Sequence, residues 1–301
     1  MVCVQVPATA ANLGPGFDCL GMALQLYNTV EMARLGTGGL SIEVQGEGAG
    51  EIARDETNIV YRAAMRVFKQ AGNPPAGLKI KLVNNIPVAR GLGSSAAAIV
   101  GALIAANLLC GNKLSQKELL NLAASLEGHP DNVAPALLGG VVVSVAVEGE
   151  IKCVKITPPP GLKAVLAIPE FTVLTKTARE VLPQMVNMQD AVFNLGRLAL
   201  LITAFHQGDL GLLPTAMEDR LHQPYRASLV PGMKKVLAAA RLAGARGVCL
   251  SGAGPSIIAL ADGNFELIAR VMRETFRQGG IRVRTMVLNI SPVGARALEK
   301  I

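Results

Sequence analysis

The sequence predicts an α+β protein of two domains, and three observations carry that expectation. Strands with period-two alternation are mixed along the chain with helices whose apolar residues recur at helical spacing. The length, 301 residues, suits two domains of about 150 residues each. Pro158-Pro159-Pro160-Gly161 is the clearest linker, because prolines lack an amide donor and break helix and strand alike. It places the boundary between a first domain at 1–159 and a second at 160–301.

Composition excludes several classes. Hydrophobic residues make up 50% and charged residues 17%, enough for a substantial core and against disorder. The net charge of +7 suits a polyanionic small molecule. Nucleic acid is disfavoured as a partner, since the basic residues are dispersed and there are no Trp and only 3 Tyr for base stacking. The 5 cysteines are odd in number and widely spaced, which argues against disulfides and a zinc site and points to a cytoplasmic chain. The apolar run from Ala96 to Cys110 is short of the ~20 residues of a membrane span, so no membrane association is expected.

The elements follow in order. Val2, Val4 and Val6 alternate as a strand that Pro7 is expected to stop. Residues 7–21 then read as a loop that sets Thr9, Asn12 and Asp18 among apolar residues. Such polar groups need partners, and long structured loops carry function. Residues 22–46 read as strands turning near 36–39. Asn58 opens a helix, with an N-cap as its plain role. Residues 78–84 are a strand leading to Pro87-Val88-Ala89-Arg90-Gly91-Leu92-Gly93-Ser94-Ser95-Ala96-Ala97. There two glycines allow a tight path into a long apolar helix. A glycine loop feeding a helix N-terminus is an anion site, because free amides and the helix dipole both face outward. No lysine follows the last glycine, so this is not the common nucleotide loop.

Ser115 and Glu118 form a capping box for a helix that Gly128 ends. Glu127, His129, Asp131 and Asn132 then crowd a turn before a buried strand at 141–147. The plain reading is a helix-ending turn with solvated charges, but charges beside a core need partners. A strand at 162–168, the polar segment Thr172–Arg179, and helices at 189–206 and 212–222 follow. Glu218-Asp219-Arg220-Leu221-His222-Gln223-Pro224-Tyr225-Arg226 comes next. His206 and His222 read as structural. Residues 247–260 are strand, glycine turn and strand. A helix at 265–277 and a strand at 281–288 complete a ferredoxin-like second domain.

The loop at 87–97 resembles the phosphate loop of the GHMP kinases, Pro-x-x-x-Gly-Leu-Gly-Ser-Ser-Ala. Residues 7–21 resemble the N-terminal motif of one branch, the homoserine kinases, and Glu127–Pro135 resembles their second motif. Thr172–Arg179 resembles their Ser-Thr-Lys-x-Ala-Arg segment, with Leu174 where Ser is usual. The stretch ending at Arg226 resembles Asp-x-x-x-(Glu/Gln)-Pro-Tyr-Arg, and Gly247–Leu260 resembles the third GHMP motif.

The resemblance implies a two-domain GHMP kinase fold, with a first domain like domain 2 of ribosomal protein S5 and a ferredoxin-like second. It implies transfer of the ATP γ-phosphoryl to L-homoserine, a step towards threonine. The loop from Pro87 to Ala97 would hold ATP, with Asn58 touching adenine. Glu127 and Ser94 or Ser95 would hold Mg²⁺. Asn12, Asp18, His129, Asp131, Asn132, Thr175, Arg179, Arg226 and Gly252 would hold the amino acid. Among them Arg226 suits its carboxylate, by bidentate geometry, and Asp18 its ammonium. Asp131, Arg179 and Glu127 are the candidates for catalysis, Asp131 either as general base or as substrate ligand. Homodimers are frequent in the family. The rival expectations are another GHMP kinase, of mevalonate or shikimate type, and a non-catalytic binding member of the fold.

Overall fold

The computed structural model describes Met1–Leu298, so the last three residues of the expected second domain lie outside the described residues. The first half of the chain runs β1 (Val2–Asn12), β2 (Gly16–Leu35), β3 (Gly39–Gly46), α1 (Ile59–Gln70), β4 (Gly77–Asn84) and α2 (Ser94–Leu109). It continues through α3 (Gln116–Glu127), α4 (Pro130–Leu138), β5 (Val141–Val147) and β6 (Glu150–Ile156). Its sheet is organised around the 20-residue β2. β2 pairs β1 from Gly16 to Met32, β4 from Thr29 to Leu35, and β5 from Leu20 to Met22, all antiparallel. β3 and β4 pair in parallel across α1, as a strand–helix–strand crossover requires.

The second half runs β7 (Lys163–Pro169), α5 (Thr175–Glu180), α6 (Met188–Gln207), α7 (Leu213–Ala216), α8 (Gln223–Arg226) and α9 (Met233–Leu242). Then come β8 (Gly247–Leu250), β9 (Ile257–Ala261), α10 (Phe265–Gln278), β10 (Val283–Asn289) and β11 (Arg296–Ala297). Its antiparallel sheet has the order β10-β7-β9-β8, the ferredoxin-like arrangement. β7 is buried on both faces. Ala164, Leu166 and Ile168 pack into the larger core shared with the first sheet, whereas Val165 and Ala167 pack under α9 and α10. That is why β7 reads as an uninterrupted apolar run.

Three sequence expectations change, and one strand was not anticipated. Pro7 does not stop the first strand: β1 continues to Asn12 through a register shift between Pro7 and Ala8. A bulge is where a strand tolerates proline, so residues 7–21 form most of a buried hairpin rather than a loop. The helix expected at 212–222 ends at Ala216. Beyond it the Asp219 carboxylate accepts from the amides of Leu221, His222 and Gln223, which satisfies donors that a longer helix would have used. The strand at 141–147 is buried at Val141, Val142 and Ser144, but its last three residues are exposed. Finally, β11 returns to the first sheet, pairing Val4 with Ala297 and Gln5 with Arg296.

The hairpin and α4 meet without clearance. A Cβ on Gly21 would lie 1.8 Å from the carbonyl oxygen of Asp131. We therefore expect Gly21→Ala to force α4 off β2 and to cost about 1–3 kcal/mol of stability, read as a lower urea midpoint with unchanged slope. An unchanged midpoint would contradict this packing.

Candidate active site

The loop between β4 and α2 gets its shape from left-handed backbone at Ala89, Gly91 and Gly93. Gly93 is the N-cap of α2 and offers no side chain to the first-turn amides, which stay available to a ligand. It also has no room for one: its Cβ would lie 1.9 Å from Thr9 Oγ1. Thr9 is fixed in turn, its amide donating to Leu92 O and its hydroxyl to Asn132 Oδ1 at 2.8 Å. Across the loop, Ser251 Oγ donates to Gly91 O at 2.6 Å. Thus the turn 251–254 packs on the phosphate loop.

One cleft of about 350 Å³ gathers nearly all the predicted residues, a volume in the range of small-molecule sites. Ala96 and Ala97 are the exceptions. Both are fully buried in the core, and the Ala97 amide already donates to Gly93 O, so neither side chain reaches a ligand. Arg90 borders the cleft, but its guanidinium donates to the carbonyls of Val88, Pro169 and Glu170, tying the loop to the end of β7. Asn58 is the N-cap of α1: its Oδ1 accepts from Val60 N at 2.8 Å and its Nδ2 donates to Ala53 O. It lies at an apolar end of the cleft formed by Ile52, Ile59, Val60, Leu82 and Val88.

The opposite end is polar. Asn12 and Asp18 both hold left-handed backbone at the tip of the β1–β2 hairpin, a conformation that Asn and Asp accept more readily than most residues. Asn12 Nδ2 donates to Gly252 O at 3.0 Å, and its Oδ1 accepts from the Asp18 amide. Asp18 and Arg179 form a bidentate pair with contacts of 2.7 and 3.0 Å. His129 Nδ1 hydrogen-bonds Asp131 Oδ1, and Asn132 Nδ2 donates to the same oxygen at 3.3 Å. Asp18, His129 and Asp131 each offer an atom within 4.8 Å of the others. Thr175 opens α5 beside Arg179 on the cleft wall. Arg226 is almost wholly buried; its Nε donates to Ala178 O and its Nη1 to Gly252 O. No hydrogen bond among the described residues uses its Nη2.

Of the two serines, Ser95 is the one whose hydroxyl reaches Glu127, at 2.9 Å from Oε2. Burial raises the Glu127 pKa above the ordinary carboxylate range, more than the Ser95 hydrogen bond and the His129 charge lower it. A carboxylate beside a hydroxyl offers the hard oxygens that Mg²⁺ takes, and a cation there would favour the ionised form that burial opposes. For His129, burial opposes the imidazolium. The Asp131 hydrogen bond and the charges of Asp131, Glu127 and Asp18 outweigh it and raise the pKa. For Arg226, burial and the nearby Arg179 charge lower the pKa to about 10.

Phe17 was not singled out in the sequence. Its ring centroid lies 5.6 Å from the Arg179 guanidinium and 5.2 Å from that of Arg226, within cation–π range of both. Its place inside the 7–21 motif was the available signal.

Residues 58–140 match the family described as GHMP kinases N terminal domain, and residues 201–278 match GHMP kinases C terminal. A homoserine kinase of Moorella thermoacetica is 51% identical, covering 94% of this chain and 95% of that protein. One of Carboxydothermus hydrogenoformans is 49% identical, covering 98% and 96%. The chain belongs to the homoserine kinase family of GHMP kinases. A crystal structure of homoserine kinase from Cytophaga hutchinsonii superposes with a TM-score of 0.91 at 33% identity, covering 99% of this chain and 97% of the other. The L. major mevalonate kinase shares the fold at a TM-score of 0.73 and 17% identity. The expected two-domain α+β GHMP kinase fold is thus the one present. No helix among the described residues is long and apolar enough to cross a membrane.

The raised pKa of His129 gives a signed expectation. Its pair with Asp131 stabilises the fold fully below the unfolded value of about 6.5 and loses that contribution as pH rises through the folded value. The stability gap between the wild type and His129→Gln, from urea unfolding, should narrow as pH rises above about 6.5. A gap that is constant or widens would contradict the pairing.

Proposed function

We propose that this chain transfers the γ-phosphoryl of ATP to the side-chain hydroxyl of L-homoserine, giving O-phospho-L-homoserine. The observation that supports it most is adjacency: a polar end with carboxylates and guanidinium groups opens onto bare amides at the start of α2. Phosphoryl transfer needs positioning and charge neutralisation more than covalent chemistry. The loop amides would hold the phosphates and the apolar end near Asn58 the base. Ser95 and Glu127 would hold Mg²⁺, which when bound offsets charge on the phosphate oxygens. Arg226 offers Nη2 to the amino-acid carboxylate. Asp18, already shared with Arg179, can accept from the ammonium while Arg179 turns to the carboxylate or the transferred group.

Asp131 uses Oδ1 for both of its side-chain partners, which leaves Oδ2 for the substrate hydroxyl. There it can take the proton or simply orient the hydroxyl. Asp131→Asn should lower kcat about a hundredfold if it is the base; a change in KM alone would make it a substrate ligand. Arg226→Ala should raise KM for L-homoserine roughly 10- to 100-fold and leave KM for ATP nearly unchanged. Equal loss of both would count against the carboxylate assignment.

The reading includes a cytoplasmic location, a division after Pro159 and a homodimer. Support for the dimer is a ridge on α6 where Met188, Val192 and Leu195 are 77%, 59% and 68% exposed at one-face spacing. The deciding assay is ADP release from Mg-ATP with L-homoserine, mevalonate, shikimate or no acceptor. Turnover with L-homoserine alone is expected. Turnover with another acceptor, or none at all, would overturn the reading.

A further inference from the structure

The side chain of His222 is fully buried directly behind Arg226. Its Nε2 lies 2.8 Å from Gly14 O and 3.5 Å from the Asp219 carboxylate. Both are acceptors, so Nε2 carries the proton. Its Nδ1 lies 3.2 Å from Arg226 Nη1, a group that can only donate. The neutral Nε2–H tautomer satisfies all of these contacts, and imidazolium would set a proton against a guanidinium. Burial, with the Arg226 charge adding to it against the opposing Asp219 charge, lowers the pKa and favours the same neutral form.

The imidazole is itself held from all sides. Phe17 stacks on it with centroids 5.3 Å apart and an interplanar angle of 26°. Asp219, whose side chain is fully buried, accepts from the His222 amide at 3.1 Å. Asn194 donates to the other Asp219 oxygen at 2.8 Å and accepts from Arg220 N, fixing the turn to α6. Gly14 stands in the turn of the β1–β2 hairpin that carries Asn12 and Asp18. His222 thus joins the hairpin bearing one group of substrate ligands to the guanidinium of another.

We infer that His222 is a positioning residue: by accepting from Arg226 Nη1 while donating to Gly14, it aims Nη2 of Arg226 at the substrate carboxylate. This rests on the proposed homoserine kinase reaction. The role requires an acceptor at the δ position and not merely a polar or bulky side chain. Two isosteric substitutions separate these. Asparagine places an amide oxygen near the site of Nδ1, and glutamine places its amide near the site of Nε2.

The experiment is steady-state kinetics on wild type, His222→Asn and His222→Gln, varying L-homoserine and ATP separately, with melting temperatures recorded. The expected result is a KM for L-homoserine within about threefold of wild type for His222→Asn and raised about tenfold for His222→Gln, with KM for ATP steady in both. Equal effects of the two variants, the reverse order, or parallel shifts in both KM values would overturn the inference. Should a variant fail to fold, L-homoserine binding to the other, measured by calorimetry against wild type, decides by the same order. Failure of the wild type to turn over homoserine would instead remove the reaction itself, so the two failures are distinct.

Discussion

Ser251 Oγ donates to the Gly91 carbonyl, the Gly252 amide donates to Ala11 O, and the Gly252 carbonyl accepts from both Asn12 and Arg226. These bonds join a turn of the second sheet to the phosphate loop and to the first hairpin of the other. Everything functional is arranged around this seam. The contact admits no side chain on Gly91, where a Cβ would lie 2.2 Å from Ser251 O. Main-chain bonds tie the hairpin to the turn (Gly252 N to Ala11 O) and to the loop (Thr9 N to Leu92 O), while the Ser251, Asn12 and Arg226 side chains supply the rest, so the placement depends on backbone geometry and on these buried rotamers together. The cleft then needs little more than the correct side chains at its two ends.

The seam also explains the distribution of charge. Cations and carboxylates at the polar end are matched before any ligand arrives: Arg179 by Asp18, His129 by Asp131. Arg226 is held by carbonyls and an imidazole rather than a carboxylate, which keeps its charge uncompensated at close range and leaves it suited to an incoming anion. The Phe17 ring, within cation–π range of both guanidinium groups, offsets part of the cost of bringing them near one another.

Much of this was legible in the sequence. The glycine loop, the capping box at Ser115, the N-cap at Asn58 and the ferredoxin-like order of the second sheet follow from local rules, and the structure keeps them. What was not legible depends on tertiary partners. Pro7 reads as a stop, but a bulge allows β1 to pass through it. Arg90 reads as a phosphate ligand until the carbonyls at the end of β7 appear beside it. His222 reads as structural because its partners, Gly14 and Arg226, lie on separate segments. That Glu127 hydrogen-bonds Ser95 and not Ser94 depends on where α3 ends, which the sequence alone does not give.

The central claim is that an amino acid is held at the seam by the two arginines with its hydroxyl turned to the loop at α2. A crystal structure of the complex with L-homoserine and a non-hydrolysable ATP analogue tests it most directly. The account predicts the carboxylate on Arg226 Nη2, the ammonium at Asp18 and the hydroxyl between Asp131 and the γ-phosphate. A carboxylate bound away from Arg226, or a hydroxyl facing away from the loop, would contradict it.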